Sequence, residues 1–163
     1  MRETGSAIVT MQETKVSQVG QIKLDGYFTY ECVRTNTEGG GVAISAKKML
    51  QPAFVSDGGD DVEAISIDIQ VKNMEITVTF GYGPQESASL VKKEAFWNYL
   101  REEAHRAASY GKGYVLQGDL NAMLEPHMIP GDLHSQNQNG KFFENFLKEK
   151  KLTCVNSLPL TEG

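Results

Sequence analysis

Residues 114–122 read YVLQGDLNA, an apolar run that leads directly to an aspartate, Asp119, and an asparagine, Asn121. A short apolar run bounded by turn-forming residues predicts a buried strand, so one carboxylate and one amide are expected at its exit. Upstream, the apolar residues 8–11 lead to Glu13 and predict a second strand that ends on an acid. Hard cations such as Mg²⁺ bind oxygen ligands, and phosphate oxygens complete their coordination. The pattern therefore favours a phosphodiesterase that uses a divalent metal.

Each motif also has a simpler interpretation. Asp and Asn are common where strands end, because their side chains hydrogen-bond the local backbone and build turns. Glu13 could be a solvated acid in the first turn of a following helix. Spacing alone therefore leaves the turn interpretation and the metal interpretation open.

The length and composition indicate one globular domain, residues 1–163, whose 40% hydrophobic residues can bury a substantial core. No apolar run approaches membrane-spanning length, and the N-terminus lacks the pattern of a signal peptide. Cys32 and Cys154 lie far apart, each in a strand-like segment. They predict buried free thiols in a reducing compartment and no zinc site.

The net charge of −5 argues against a protein held on nucleic acid by bulk positive charge, because Lys and Arg supply most non-specific affinity for phosphate. It is compatible with an enzyme that acts on nucleic acid, since a bound cation reverses the sign of the local charge.

Alternation of apolar and polar side chains over residues 65–71 and 76–80, with a turn at Lys72 and Asn73 between them, predicts a hairpin. Residues 27–33, 42–44 and 152–155 predict further strands, and the loop at 38–41, which contains three consecutive glycines, predicts a flexible hairpin turn. The side chains expected between the sheets are Ile65, Ile67, Ile69, Ile76, Val78, Val115 and Leu116.

Two amphipathic helices are predicted, one over residues 87–109 and one that begins with Asn139 as its N-cap. Their predicted apolar faces comprise Leu90, Val91, Phe96, Trp97, Leu100, Ala104 and Ala107 or Ala108 in the first, and Phe142, Phe143, Phe146 and Leu147 in the second. The order of elements indicates a mixed α/β fold with two sheets packed face to face and helices outside. The long connection between Leu124 and Gln138 follows Asn121 and is typical of a loop that contacts substrate.

At this point the chain resembles the endonuclease/exonuclease/phosphatase superfamily, and within it the endonuclease domain of LINE-type (non-LTR) retrotransposons. The matching motifs are QETK at 12–15, GGGVAI at 39–44, YGPQ at 82–85, FW at 96–97, GDLNA at 118–122 and the run over 139–147. The resemblance implies a four-layer α/β sandwich of two mostly antiparallel mixed sheets, here incomplete at both ends. It also implies nicking of DNA by phosphodiester hydrolysis with Mg²⁺, or Mn²⁺ in its place.

The resemblance assigns a role to four side chains. Glu13 resembles the metal-binding glutamate, and Tyr82 the tyrosine whose hydroxyl contacts the scissile phosphate or the leaving group. Asp119 resembles the aspartate that orients or deprotonates the attacking water and helps to hold the metal. Asn121 resembles the amide that holds a phosphate oxygen.

The chain also departs from the family pattern. The opening strand with its asparagine and the terminal Ser-Asp-His of the family have no counterpart in these 163 residues. By position, His105, His127 and His134 are expected to be ordinary surface histidines rather than replacements for the family histidine. We therefore expect little or no nicking by the chain alone, and nicking by a version extended through a downstream Ser-Asp-His.

The implied partners are DNA and a reverse transcriptase encoded downstream, with no membrane and a location in the nucleus. Two alternatives stay open. The chain could be a non-catalytic, truncated or domesticated remnant of such a domain. It could instead be a phosphoesterase of the same superfamily that acts on a lipid or inositol phosphate.

Overall fold

The computed structural model describes residues 5–34, 40–124 and 135–157. Seven strands and two helices make up this part of the chain: β1 (Ile8–Gln12), β2 (Tyr27–Cys32), β3 (Val42–Lys47), β4 (Ala53–Asp57), β5 (Ala64–Val71), β6 (Met74–Tyr82), α1 (Leu90–Ser109), β7 (Gly113–Asp119) and α2 (Gln138–Lys150). Short 3-10 turns lie at Lys48–Leu50 and Val155–Ser157.

The strands form two sheets. One has the order β1-β3-β2 and is antiparallel throughout, and the other has the order β4-β5-β6-β7. The predicted hairpin is confirmed, because β5 pairs antiparallel with β6 along its whole length. By contrast, β6 pairs with β7 in parallel, and α1 supplies the crossover that a parallel pair requires.

The core between the sheets is built from alternate side chains of the inner strands, as the period of a strand requires. Its buried members are Cys32, Val42, Ile44, Ala46, Ile65, Ile67, Ile69, Val78 and Phe80. This cluster draws on β2, β3, β5 and β6 and fixes how the two sheets face each other.

A second core joins both helices to the outer face of the four-stranded sheet. Trp97 is fully buried at its centre and contacts the rings of Phe96, Phe142, Phe143 and Phe146. The predicted α/β fold, with two sheets packed face to face and helices outside, is confirmed. None of the described helices combines the length with the apolar character that crossing a membrane requires.

The predictions that Val115 and Leu116 lie between the sheets are wrong, since Val115 is 39% exposed and Leu116 packs on the helix side of its sheet. β7 is the end strand of its sheet, beyond the strands that line the inter-sheet core. Its neighbour Leu116 points the other way and packs partly buried against the helices, while Ile76 is half-buried at the margin of the inter-sheet core.

The helix starts also differ from prediction. α1 begins at Leu90 after the N-cap Ser89, and both Leu90 and Val91 are exposed because they precede the part of the helix that lies on the sheet. In α2 the N-cap is Asn137, whose side chain accepts from the backbone N–H of Gly140. Asn139 therefore sits inside the first turn, where its side chain is available for other contacts.

Residues 152–155 do not form the predicted strand. Lys151 ends α2 in the left-handed conformation, and the backbone N–H of Leu152 bonds back to the carbonyl of Leu147. The apolar Leu152 thus closes a helix C-terminus, and Cys154 lies outside any strand. Cys32 is buried in β2 as predicted, and burial raises the pKa of its thiol to about 11.

Parts of two predicted loops lie outside the described residues. These are residues 35–39, which include part of the glycine turn, and residues 125–134, which include His127 and His134.

Replacing Trp97 with alanine should lower the free energy of unfolding by roughly 3–5 kcal/mol, because it empties the centre of the helix–sheet core. Urea unfolding measures this, and Val91→Ala on the exposed side of the same helix is the matched control, expected to stay within about 0.5 kcal/mol. A wild-type fluorescence maximum typical of a fully hydrated indole would contradict the buried position of this sole tryptophan.

Candidate active site

Glu13 and Tyr82 meet across the two sheets. Glu13 directly follows β1 and has φ 49, while Tyr82 is the last residue of β6. The Tyr82 hydroxyl donates to Glu13 Oε1 at 2.9 Å, although the two residues are 69 positions apart. The turn that carries Glu13 is held by the backbone bonds from Thr14 N–H to the Gly41 carbonyl and from Lys15 N–H to the Gly40 carbonyl.

The charge around the Tyr82 hydroxyl favours its protonated form. The hydrogen bond to the Glu13 carboxylate is the largest cause of a raised Tyr82 pKa, followed by burial and by the negative charges of Glu13 and Asp119. A phenolate would lose the donated bond and face both carboxylates. Tyr82 is thus held as a hydrogen-bond donor at neutral pH.

Asp119 and Asn121 reach the same edge of the four-stranded sheet. Asp119 ends β7 and lies opposite Tyr82 in the parallel register. Because neighbouring parallel strands run in one direction, their carboxyl ends meet at one edge. Asn121 Nδ2 donates to the Gly83 carbonyl at 2.8 Å, and the Gly83 N–H donates to the Asp119 carbonyl at 2.7 Å. The four predicted side chains are thereby brought to one edge of the sandwich.

The turn interpretation of this motif is also observed. Asn121 has φ 48, and its backbone N–H donates to Asp119 Oδ1 at 3.0 Å. This bond fixes the rotation of the Asp119 carboxylate, which is exposed to solvent and has further lone pairs for a cation or a water. The role assigned to each of the four side chains remains a prediction.

Glycines allow the strand ends to approach this closely. Gly118 has φ 135, and a Cβ there would lie 1.8 Å from the Gly81 carbonyl oxygen. A Cβ on Gly83 would lie 2.2 Å from the Leu120 carbonyl oxygen. Side chains at these positions would separate the two segments that carry Tyr82 and Asp119.

Three residues near the four predicted side chains were not identified from the sequence as part of the site. They are Glu63, Asn137 and Asn139. The Tyr82 backbone N–H donates to the Glu63 carbonyl at 2.8 Å, and the Glu63 carboxylate pairs with Arg34 at 2.6 Å. Burial raises the pKa of Glu63, and the charge of Arg34 opposes this. From α2, the Asn137 and Asn139 amides reach the Asn121 carbonyl. The sequence signal for this part of the chain was the run over 139–147, which contains Asn139 and resembles the family.

The donor set fits a hydrated Mg²⁺. Glu13 and Asp119 are exposed carboxylates whose negative charges both act on the Tyr82 hydroxyl, and Mg²⁺ keeps several waters and binds through one or two carboxylates. Across the described ranges, no three His, Cys, Asp or Glu side chains cluster as a closed metal cage would need. His105 lies apart from these residues. It is exposed on α1 and lines a cavity together with Lys112, which precedes β7 at the end opposite Asp119.

The sequence matches a known protein family. A model described as "Endonuclease/Exonuclease/phosphatase family" matches residues 1–145. Craniofacial development protein 2 of Tragulus javanicus is 24% identical over 156 residues, which cover 93% of this chain and 27% of that protein. The chain therefore spans about a quarter of the length of this curated relative.

Two solved structures share the fold. The endonuclease domain of TRAS1, a telomere-specific non-LTR retrotransposon, has a TM-score of 0.62 at 18% identity, over 94% of this chain and 64% of that one. The 3' phosphatase NExo from Neisseria, bound to a product DNA hairpin, has a TM-score of 0.57 at 20% identity, over 90% of this chain and 62% of that one.

Gly118→Ala should lower the free energy of unfolding by roughly 2–5 kcal/mol, because the new Cβ meets a backbone carbonyl and φ is positive. Gly113→Ala in the same strand is the matched control. Its Cβ would meet the Ile76 side chain and the Glu75 carbonyl oxygen at ordinary van der Waals distances, so a change within about 0.5 kcal/mol is expected. Equal stabilities of the two variants in urea would contradict the close approach of β7 to β6.

Glu13→Gln should lower the Tyr82 pKa toward its ordinary value of 10.0, because glutamine can accept the hydrogen bond without carrying the charge that disfavours the phenolate. NMR of the tyrosine ring carbons over a pH titration measures this shift, with Tyr82→Phe to assign the signal. Glu102→Gln, on the exposed face of α1, should leave it unchanged. An unaltered Tyr82 titration in Glu13→Gln would show that the two side chains do not meet.

Proposed function

This chain belongs to the endonuclease/exonuclease/phosphatase family, and we propose that it is a domain that nicks DNA by hydrolysis of a phosphodiester with Mg²⁺, or Mn²⁺ in its place. The observation that carries the proposal is the meeting of Glu13 and Tyr82 at 2.9 Å, with Asp119 opposite Tyr82 in the sheet register. This juxtaposition joins residues from three separate parts of the chain. A turn-forming role for each residue does not account for it.

In this proposal Glu13 and Asp119 hold the cation, which when bound neutralises charge on the phosphate and on the leaving oxygen. Both carboxylates are exposed, so they are hydrated before binding and lose little solvation when a hydrated cation arrives. An open site also suits a large substrate such as a DNA duplex. The chain carries a net charge of −5, so the cation provides the local positive charge that the phosphate backbone requires.

Asp119 orients the attacking water in this proposal. The N–H of Asn121 holds one of its carboxylate oxygens, so the direction of the remaining lone pairs is constant. A carboxylate fixed in this way can align a water with the phosphorus and accept its proton, which is the work of a general base.

Tyr82 and Asn121 contact the phosphate in this proposal. The Tyr82 hydroxyl stays protonated and can turn from Glu13 to donate to a phosphate or leaving oxygen. The Asn121 amide uses one of its two hydrogens on the Gly83 carbonyl, and the second can donate to a phosphate oxygen. Donors aimed at charge that develops in the transition state lower the barrier more than they strengthen substrate binding.

The setting of the domain is part of the proposal. The retrotransposon-like motifs support an endonuclease domain of a mobile-element polyprotein that works in the nucleus, with a reverse transcriptase downstream. The likeness to craniofacial development protein 2 instead supports a domesticated copy within a cellular protein. Sequencing the reading frame beyond residue 163 distinguishes these settings.

Protein expressed from the complete reading frame should nick supercoiled plasmid with Mg²⁺ and lose this activity in EDTA. Asp119→Ala should reduce the rate roughly 10²- to 10⁴-fold, because it removes the group proposed to activate the water. Gel electrophoresis of relaxed and supercoiled plasmid gives the rates. The control is Glu94→Gln, an exposed acid on α1, which should nick like the wild type.

The outcomes separate the alternatives. DNA binding without cleavage under either metal would favour the non-catalytic remnant. Release of phosphate from inositol phosphates, with DNA left intact, would favour the other phosphoesterase. Strong nicking by residues 1–163 alone would contradict the expectation that further family elements complete the site.

A further inference from the structure

The first turn of α2 lies directly on the loop that carries the candidate site. Asn139 in this turn is fully buried. A Cβ on the next residue, Gly140, would lie 1.9 Å from the Met123 carbonyl oxygen, so the helix touches this loop backbone to backbone. A buried polar side chain at such a contact needs hydrogen-bond partners, and the partners of Asn139 are specific.

Trp97 sets the orientation of the Asn139 amide. The indole Nε1–H donates to Asn139 Oδ1 at 3.2 Å. Since an indole can only donate, it must face the oxygen end of the amide, and the nitrogen end is turned away from the helix–sheet core. The amide is therefore fixed by the largest fully buried side chain of the second core.

The nitrogen end of the amide reaches two separate segments. Asn139 Nδ2 donates to the Pro84 carbonyl at 2.6 Å and to the Asn121 carbonyl at 3.3 Å. Pro84 follows Tyr82 by two positions, and Asn121 follows Asp119 by two positions. One amide thus bridges the segments that leave β6 and β7 at the site.

Asn137 supports the same bridge from outside the helix. Its Nδ2 donates to the Asn121 carbonyl at 2.8 Å, while its Oδ1 accepts from the backbone N–H of Met123 at 2.9 Å and of Gly140 at 2.7 Å. The Asn121 carbonyl therefore receives two amide donors, which hold Asn121 in its left-handed conformation.

We propose that Asn139, with Asn137 beside it, is a positioning residue that clamps the Tyr82 segment to the Asp119–Asn121 segment. The clamp fixes the distance between the Tyr82 hydroxyl, which donates a hydrogen bond to the phosphate, and the Asp119 carboxylate, which orients the water. It does so without touching the substrate. This inference rests on the proposed function for its catalytic meaning. The clamp itself is a property of the folded chain.

A purely structural role for Asn139 would require only an acceptor for the Trp97 indole. That role uses the oxygen end of the amide and makes no use of the nitrogen end. Asn139→Asp separates the two ends, because aspartate keeps the acceptor and its carboxylate cannot donate to the Pro84 and Asn121 carbonyls.

Amide hydrogen exchange on the chain gives a readout that does not depend on catalysis. The Gly83 N–H, which bonds the Asp119 carbonyl at 2.7 Å, reports whether the two segments stay together. The Ile67 N–H, in the middle of the four-stranded sheet, reports global opening. In Asn139→Asp we expect exchange at Gly83 to rise roughly tenfold or more relative to Ile67.

Phe146→Leu is the matched control, since it loosens the same buried cluster and leaves in place the hydrogen bonds that Asn137 and Asn139 make to the two segments. It should raise exchange at Gly83 and Ile67 by the same factor. If Asn139→Asp fails to fold, Asn137→Asp replaces it, because this change keeps the helix cap and removes only the donor to the Asn121 carbonyl. The clamp would be overturned if the ratio of the exchange rate at Gly83 to that at Ile67 stayed at its wild-type value in Asn139→Asp, or in Asn137→Asp where that variant replaces it.

Kinetic measurements on the protein expressed from the complete reading frame then test whether the clamp contributes to catalysis. We expect Asn139→Asp to lower kcat roughly 10- to 100-fold with little change in KM, because misplaced groups lose transition-state alignment, and Phe146→Leu to keep its kcat. An unchanged kcat with raised Gly83 exchange would overturn the positioning role. A wild type that does not cut DNA overturns the proposed function and the catalytic part of this inference, and the exchange ratio still decides the clamp.

Discussion

The parallel pairing of β6 with β7 places Tyr82 opposite Asp119 by backbone geometry, and the other site contacts depend on this register. The two strand ends approach so closely at Gly81 and Gly118 that only a glycine fits the second position. A shift by one residue would turn every side chain of β7 to the other face. Asp119 would then no longer lie opposite Tyr82, and the loop that carries Asn121 would leave the Gly83 carbonyl.

In the candidate site the charged side chains are exposed, whereas the side chain that holds the loops in place is neutral and buried. The acids Glu13 and Asp119 are exposed to water, whereas the amide of Asn139 behind them is fully buried. This division follows from solvation, because burial of an unpaired carboxylate costs far more than burial of an amide whose hydrogen bonds are all made. Neutral amides can therefore fix the loops in the interior, and the acids remain hydrated and free to exchange water for a cation.

Three failed predictions share one physical cause. The apolar Val115 was expected inside the sandwich, residues 152–155 as a strand, and Asn139 as a helix cap. The local sequence pattern shows that a side chain is apolar or can cap a helix. It does not show which other part of the protein that side chain will pack against. Val115 lies on an end strand beyond the inter-sheet core, and Leu152 closes the C-terminus of α2. The Asn139 side chain hydrogen-bonds the Trp97 indole and two backbone carbonyls instead of capping the helix.

The sequence by itself determined the elements with a strong local period, because strand alternation and helix periodicity are set by neighbouring residues. It therefore predicted the β5–β6 hairpin and α1. The family to which the chain belongs was indicated separately, by the resemblance of its short motifs. The sequence also supplied Glu13, Tyr82, Asp119 and Asn121 as separate motifs. Only the tertiary structure decided that these four residues meet at one edge, and that the buried Asn139 of α2 and the N-cap Asn137 hydrogen-bond the loop that carries Asn121. Contacts across 69 positions, such as that between Glu13 and Tyr82, depend on strand register and sheet packing, which no local pattern encodes.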